Sequence, residues 1–196
     1  MRLTKEQAEQ NRDLIVDTAS RMFRLHGMEN VAVADIMKES GFTHGGFYNH
    51  FKSKDALAAE AIASAFAGTA SNLSQKFASG EHPQEPLSSF IAQYLSPTHR
   101  DTKSGGCPAP ALSSDATRNG KIVQTAFVKG IETYLDIIAE QMGGEEQEAR
   151  QQAIALFSGL VGAMMLSRAV KKSDPTLSDE LLSSARNTLK LKMVHA

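Results

Sequence analysis

Residues 27–54, GMENVAVADIMKESGFTHGGFYNHFKSK, decide how the chain is read. Val33, Ile36 and Met37 fall on one face of a short first helix. Ser40-Gly41 ends it, because glycine takes the left-handed conformation after a helix without a Cβ clash. Phe42, Phe47 and Phe51 form a second apolar set, with Phe47 and Phe51 one helical turn apart. Between them runs a polar, small-residue edge: Thr43, His44, Gly45, Gly46, Tyr48, Asn49 and His50. Helices this short are not stable alone. They must be packed elements that present one edge to something else, and a helix-turn-helix reading element fits that description. Adjacent glycines cost a helix about 1 kcal/mol each. Gly45 and Gly46 make sense where a backbone or base edge must approach closely.

Outward from this stretch the pattern stays helical. Thr4-Lys5-Glu6-Gln7 has capping-box form, and Ile15, Ala19, Met22 and Phe23 make an apolar stripe that stops near His26-Gly27. Ser53 is a candidate N-cap with Asp55 in the favourable first turn, and Leu57, Ala61, Ala65 and Phe66 continue a helix to about Phe77. Gly80-Glu81-His82-Pro83 reads as a break. Leu87, Phe90, Ile91, Tyr94 and Leu95 give another stripe, ended by Ser96-Pro97, and residues 97–106 are loop-like. Cys107-Pro108 opens a short helix with Pro108 at its first position. Longer helices are expected over 122–142, 145–170 and 177–193. No strand-type alternation, internal repeat or low-complexity tract interrupts them. An all-α chain follows, with a three-helix reading head over residues 1–52 and a helical body over 53–196.

Composition narrows the function. The formal net charge of the 196 residues is −1, and residues 1–60 carry slightly more Asp/Glu than Lys/Arg. Any DNA footprint is therefore local, made by oriented side chains and helix N-termini. The single cysteine excludes an internal disulfide and suits a reducing compartment. No basic-then-apolar leader and no apolar run of about 18 residues is apparent, so a soluble, cytoplasmic protein without a membrane partner is expected. The six histidines show no metal-ligand spacing, and no GxSxG, Walker A or GxGxxG occurs. Neither a metal, a cofactor nor an enzymatic activity is expected.

The stretch GFTHGGFYNHFKSKDAL resembles the signature of the TetR family of bacterial transcriptional repressors, in which a Gly-hydrophobe-Ser/Thr turn leads into a recognition helix ending Tyr-x-His-Phe-x-x-Lys. Gly41, Phe42, Thr43, Tyr48, His50, Phe51 and Lys54 stand in register, and the resemblance covers roughly residues 10–57. It implies that Val33, Thr43, His44, Gly45, Gly46, Tyr48, Asn49, His50 and Lys54 form the DNA footprint. His44, Gly45, Gly46 and Asn49 would face base edges, and Tyr48, His50 and Lys54 would bond phosphates. Ala32 departs from the pattern where Ser or Thr is frequent, and Asn30 is the expected replacement cap.

In the body, Phe90, Tyr94, Cys107, Phe127, Tyr134, Met164 and Met165 suit either a core or an apolar pocket, and the resemblance implies the cavity. Cys107 has two readings. It is a small buried hydrophobe, or a sensor thiol whose pKa a helix N-terminus would lower. Small residues at Gly159, Gly162 and Ala163, with Phe157, Leu160, Leu181, Leu182 and Leu189, suit close helix packing. The resemblance turns this into the interface of a homodimer. The expectation is a homodimeric repressor on a palindromic double-stranded operator, released by a small-molecule effector or by modification of Cys107. The competing expectation is a small-molecule-binding or thiol-reactive helical protein without a DNA role.

Overall fold

The computed structural model describes residues 4–79 and 86–194, which hold nine α-helices, one 3-10 helix and no strand. In order these are α1 (Lys5–His26), α2 (Val33–Glu39), the 3-10 helix (His44–Asn49) and α3 (Lys54–Ser79). Next come α4 (Pro86–Tyr94), α5 (Pro97–Asp101) and α6 (Ala109–Arg118), then α7 (Lys121–Met142), α8 (Glu146–Val170) and α9 (Pro175–Val194). The expected break at Gly80-Glu81-His82-Pro83 lies outside the described residues.

Local chemistry sets the first boundaries. The Thr4 hydroxyl accepts the Gln7 N–H at 3.2 Å while the Gln7 carbonyl oxygen accepts the Thr4 N–H at 3.0 Å, the reciprocal capping box. α2 ends at Gly41, φ 81°, where the Phe42 and Gly41 amides bond the Met37 and Lys38 carbonyls at 2.8 and 3.1 Å. This 6→1 and 5→2 pair turns the chain sharply toward the 3-10 helix. The start of α2 differs from expectation. Asn30 does not cap it. Its Nδ2 instead donates to the His26 carbonyl at 2.9 Å, closing the end of α1, and Ala32 precedes α2 without a side-chain cap. Ser53 does cap α3, accepting the Ala56 N–H at 3.1 Å.

Three further boundaries are corrected. Residues 97–101 form α5 rather than loop, because the Ser96 hydroxyl caps the His99 N–H at 3.1 Å and Pro97 sits at the first helical position. Pro tolerates that position because the missing N–H would be unpaired there anyway. The buried Arg100 pins α5 to α9 through Ser178, at 2.9 Å, and Asp179. Pro108 is the residue before α6 rather than its first, which leaves Cys107 outside the helix. α9 starts two residues early, at Pro175, since Asp174 accepts the Leu177 N–H at 2.9 Å.

One continuous apolar core runs from Ile15, Phe23 and Phe47 through Leu57 and Ile62 to Ile138, Leu160 and Leu182. α3 packs against both α1 and α7, and so joins the first helices to the rest. Arg12 of α1 bridges to Glu60 of α3 and lies 4.6 Å over the Phe51 ring. α8 departs from expectation. It is long and apolar enough, by length and composition, to cross a membrane, and only a third of its most apolar window is buried. Its inner side packs on α6, α7 and α9.

Candidate DNA interface and internal cavity

The second motif helix is a 3-10 turn, held by Gly46 N–H to Thr43 O (3.0 Å) and His50 N–H to Phe47 O (2.9 Å). Phe47 and Phe51 are buried and stack with centroids 5.6 Å apart, which anchors the apolar side. The opposite side is open. Thr43, His44, Gly45, Tyr48 and Asn49 are exposed, Tyr48 by 70 %, and Gly46 and His50 are half-buried beside them. Two expected footprint residues sit differently. Val33 packs partly against the core. Lys54 turns its ammonium onto the Met28 carbonyl at 2.6 Å, closing the α1–α2 turn, although the ammonium has further N–H donors. A Cβ added at Gly45 would meet nothing within 4 Å, and one at Gly46 only ordinary contacts from 3.7 Å. The fold itself therefore does not require either glycine.

A cavity of about 220 Å³ opens among α3, α4, the α5–α6 loop and α7. Of the expected pocket residues, Phe90, Tyr94, Cys107 and Tyr134 line it. Phe127 packs edge-on against Phe66 (5.3 Å) and Met164 is fully buried in the core, so neither reaches the cavity. Met165 lines a separate groove among α6, α7 and α8. Thr69, Asn72, Leu73 and Lys76 of α3, with Gln93 and His99, complete the wall and were not anticipated. Their α3 signal was present: positions 69, 72, 73 and 76 recur at helical spacing on one face.

His99 organises the inner end. Its Nδ1 lies 2.7 Å from the Tyr94 carbonyl and must donate to it, which leaves Nε2 to accept the Cys107 N–H at 3.1 Å. Both ring nitrogens are thus used by the neutral tautomer, and burial holds its pKa below the ordinary value. Gly106 allows this packing, since a Cβ there would fall 2.6 Å from the imidazole. Of the two readings of Cys107, its environment is that of the small buried hydrophobe. Burial raises its pKa, the strongest influence on a thiol only 4 % exposed. Of the cations near Cys107 in sequence, Lys103 is exposed and Arg100 is committed to α9.

The cavity wall is tied to the first helices. Arg24 of α1, itself 9 % exposed, donates to the Gly106 carbonyl at 2.9 Å, one residue from Cys107. Asp115 of α6 accepts the buried Met28 N–H at 2.9 Å in the α1–α2 turn. Arg118 reaches Glu29 of the same turn at 3.0 Å.

The expected interface residues divide. Phe157, Leu160 and Leu182 are buried within the chain, which corrects their assignment to a subunit surface. Gly159 faces Leu189 of its own α9, with a Cβ-to-Cδ2 approach of 3.3 Å. Leu181, Ala163 and Gly162 are half-buried, and a Cβ at Gly162 would meet nothing within 4 Å. The outward face of α8 is instead Ile154, Ser158, Gly162, Met165 and Leu166, with Ile154 and Leu166 exposed by 43 % and 56 %.

A glycine-turned helix pair with an apolar anchor and an open polar edge defines the class: a helix-turn-helix DNA-binding protein. Residues 15–61 match the family model for bacterial regulatory proteins of the tetR family. The chain is 28 % identical over 171 residues to the HTH-type transcriptional regulator YxaF of Bacillus subtilis, spanning 85 % of this chain and 90 % of that protein. It is 23 % identical to the HTH-type transcriptional regulator LmrA of the same organism, over 85 % of this chain and 91 % of LmrA. The crystal structure of Escherichia coli NemR in its reduced form superposes with a TM-score of 0.79 at 20 % identity, covering 92 % of this chain and 95 % of NemR. Residues 15–61 carry the DNA-binding region of the bacterial tetR family, and the chain is a DNA-binding transcriptional regulator.

Proposed function

We propose that the chain acts in the cytoplasm as a homodimeric repressor, holding a palindromic operator with two heads of residues 1–52 and releasing it when a small molecule enters the cavity of the body. The observation that carries this reading is a pair of buried ties from the body to the head: Arg24 bonds the Gly106 carbonyl, next in sequence to Cys107 of the cavity wall, and Asp115 of α6 bonds the Met28 N–H. A ligand that displaces His99 or Cys107 moves the Gly106 carbonyl, and with it the support of α1. The effector need only bind the DNA-incompetent arrangement better, a coupling of about 1–3 kcal/mol. Burial of Cys107 and its raised pKa favour this route over thiol modification. Thr43, His44, Gly45, Tyr48 and Asn49 supply the exposed footprint. The outward face of α8 supplies the subunit contact, because Ile154 and Leu166 leave about half of their apolar surface exposed there. The test is operator binding by full-length protein, by fluorescence anisotropy on DNA upstream of its own coding sequence, with Asn49→Ala as the variant. Loss of sequence preference with the fold intact supports the reading. Unchanged preference removes Asn49 from it.

A further inference from the structure

Two buried side-chain polar atoms in the described chain have no partner in hydrogen-bond geometry: the Tyr94 hydroxyl, whose one polar neighbour is the weakly accepting Cys107 thiol, and Arg168 Nη1. Buried polar groups are nearly always satisfied, and an orphan marks a place where something else is expected to bond. Both belong to residues that pack against His99. Tyr94 is 5 % exposed and lines the cavity. Arg168 of α8 is fixed behind His99, its Nη2 on the His99 carbonyl and its Nε on the Arg100 carbonyl, both at 3.0 Å. The His99 ring in turn lies edge-on to Tyr94, centroids 4.6 Å apart. The Arg168 charge acts on both Tyr94 and Cys107, and Arg24, bonded to the neighbouring Gly106 carbonyl, acts on the same thiol.

Among the described residues the charge at the cavity is one-sided: Lys76 stands at the wall, bonded to the neutral side-chain oxygen of Gln93 at 2.6 Å, and no described carboxylate lines the cavity. Phe90, Tyr94 and Tyr134 contribute aromatic rings to the wall, and Thr69, Asn72 and Gln93 neutral polar groups. Size limits the occupant. A cavity of about 220 Å³ is somewhat larger than the roughly 150 Å³ that accommodates benzene, which leaves room for one ring and a small substituent.

We propose that this cavity takes a single-ring aromatic carboxylate, its ring against Phe90 and Tyr134 and its carboxylate accepting the Tyr94 hydroxyl on the side of Arg168. The assignment rests on the reading of the cavity as the effector site and narrows it to a chemical class. A carboxylate satisfies the orphan hydroxyl with a charge-assisted bond and balances the surrounding cations. A neutral ring leaves the charge imbalance in place.

The test uses full-length protein and two probes of nearly equal shape, benzoate and benzamide, by calorimetric titration and thermal shift. Benzoate should bind at least tenfold tighter than benzamide. Tyr94→Phe should weaken benzoate about tenfold while its ligand-free melting temperature stays level or rises, since only an unpartnered hydroxyl is lost. Equal binding of the two probes overturns the proposal, and so does unchanged benzoate affinity in Tyr94→Phe. Should benzamide alone bind and loosen DNA, the charge assignment fails while the effector reading stands. Should neither bind, the proposal fails, and Thr69→Phe, which fills the cavity from α3, then judges the effector reading separately: unaltered DNA affinity would sink that reading too.

Discussion

Asp115→Ala offers the most quantitative probe of the link between body and head. The Asp115 side chain is 8 % exposed and accepts the N–H of Met28, a residue 2 % exposed, at 2.9 Å. Its other partner, Arg118 Nη2, stands 3.7 Å away and is half exposed, so that pair contributes little. Truncation removes a hydrogen bond to a charged acceptor and orphans a buried amide, which together cost about 1.5–3 kcal/mol. For a chain of this length each kcal/mol lowers the melting temperature by about 2–4 °C. A fall of about 3–12 °C is therefore expected, and Asp115→Asn, which keeps an acceptor oxygen, should recover most of it. Arg118→Ala, which removes the exposed pair with Glu29 and the long contact with Asp115, should move it by about 1 °C or less. Calorimetry reads the global effect, and hydrogen exchange at the Met28 amide reads the local one. A melting temperature within about 1 °C of wild type, with the Met28 amide still protected, would show that this contact does not hold the turn.

Three further outcomes are expected. Gly162→Leu adds bulk to the outward face of α8, where a Cβ meets nothing, so it should change oligomeric state with the subunit fold intact. Gly159→Leu should instead strain the α8–α9 contact with Leu189 and lower stability by about 1–3 kcal/mol; light scattering and thermal melts separate the two. His99 is held below its ordinary pKa by burial, so the unfolded chain takes up its proton first. The His99 contribution should be complete above about pH 6.5 and be lost as pH falls toward the folded value. Tyr94, Cys107 and Arg168 around it do not titrate in that range, so subtracting a His99→Gln melt series from the wild type should isolate the loss; parallel pH profiles would contradict it. Cys107 should resist iodoacetamide at pH 8 in the native state and react once unfolded, because burial raises its pKa. Fast native alkylation would restore the sensor-thiol reading.

Much of the fold was legible because its boundaries are local chemistry. The Thr4-Gln7 box, Gly41 and Ser53 each act through neighbours in sequence. α5 was misread because Ser96-Pro97 works equally as a stop or as a cap followed by a first helical residue, and the tertiary anchor of Arg100 on α9 decides between them. The cavity was half legible. Aromatic stripes on α4 and α7 announced its apolar walls, but Thr69, Asn72 and Lys76 contribute only because α3 is turned toward α4. The interface was the least legible. Apolar spacing on α8 shows that several faces are apolar, but not which one α9 covers. For that reason Phe157 and Leu160 belong to the core, while Ile154 and Leu166 face outward.

The central claim is that the open edge of the 3-10 helix reads DNA. Its most direct test is anisotropy titration of the full-length protein on a labelled duplex from upstream of its own coding sequence, with a shuffled duplex of equal length as competitor, repeated across salt. The account predicts saturable binding at least about 10³-fold tighter than to the shuffled duplex, weakening with salt through the phosphate contacts. Preference for its own duplex should vanish when Asn49 and Tyr48 are replaced by Ala. Equal affinity for both duplexes would contradict operator recognition on this upstream DNA, and a preference that survives the replacements would contradict the assignment of reading to this edge.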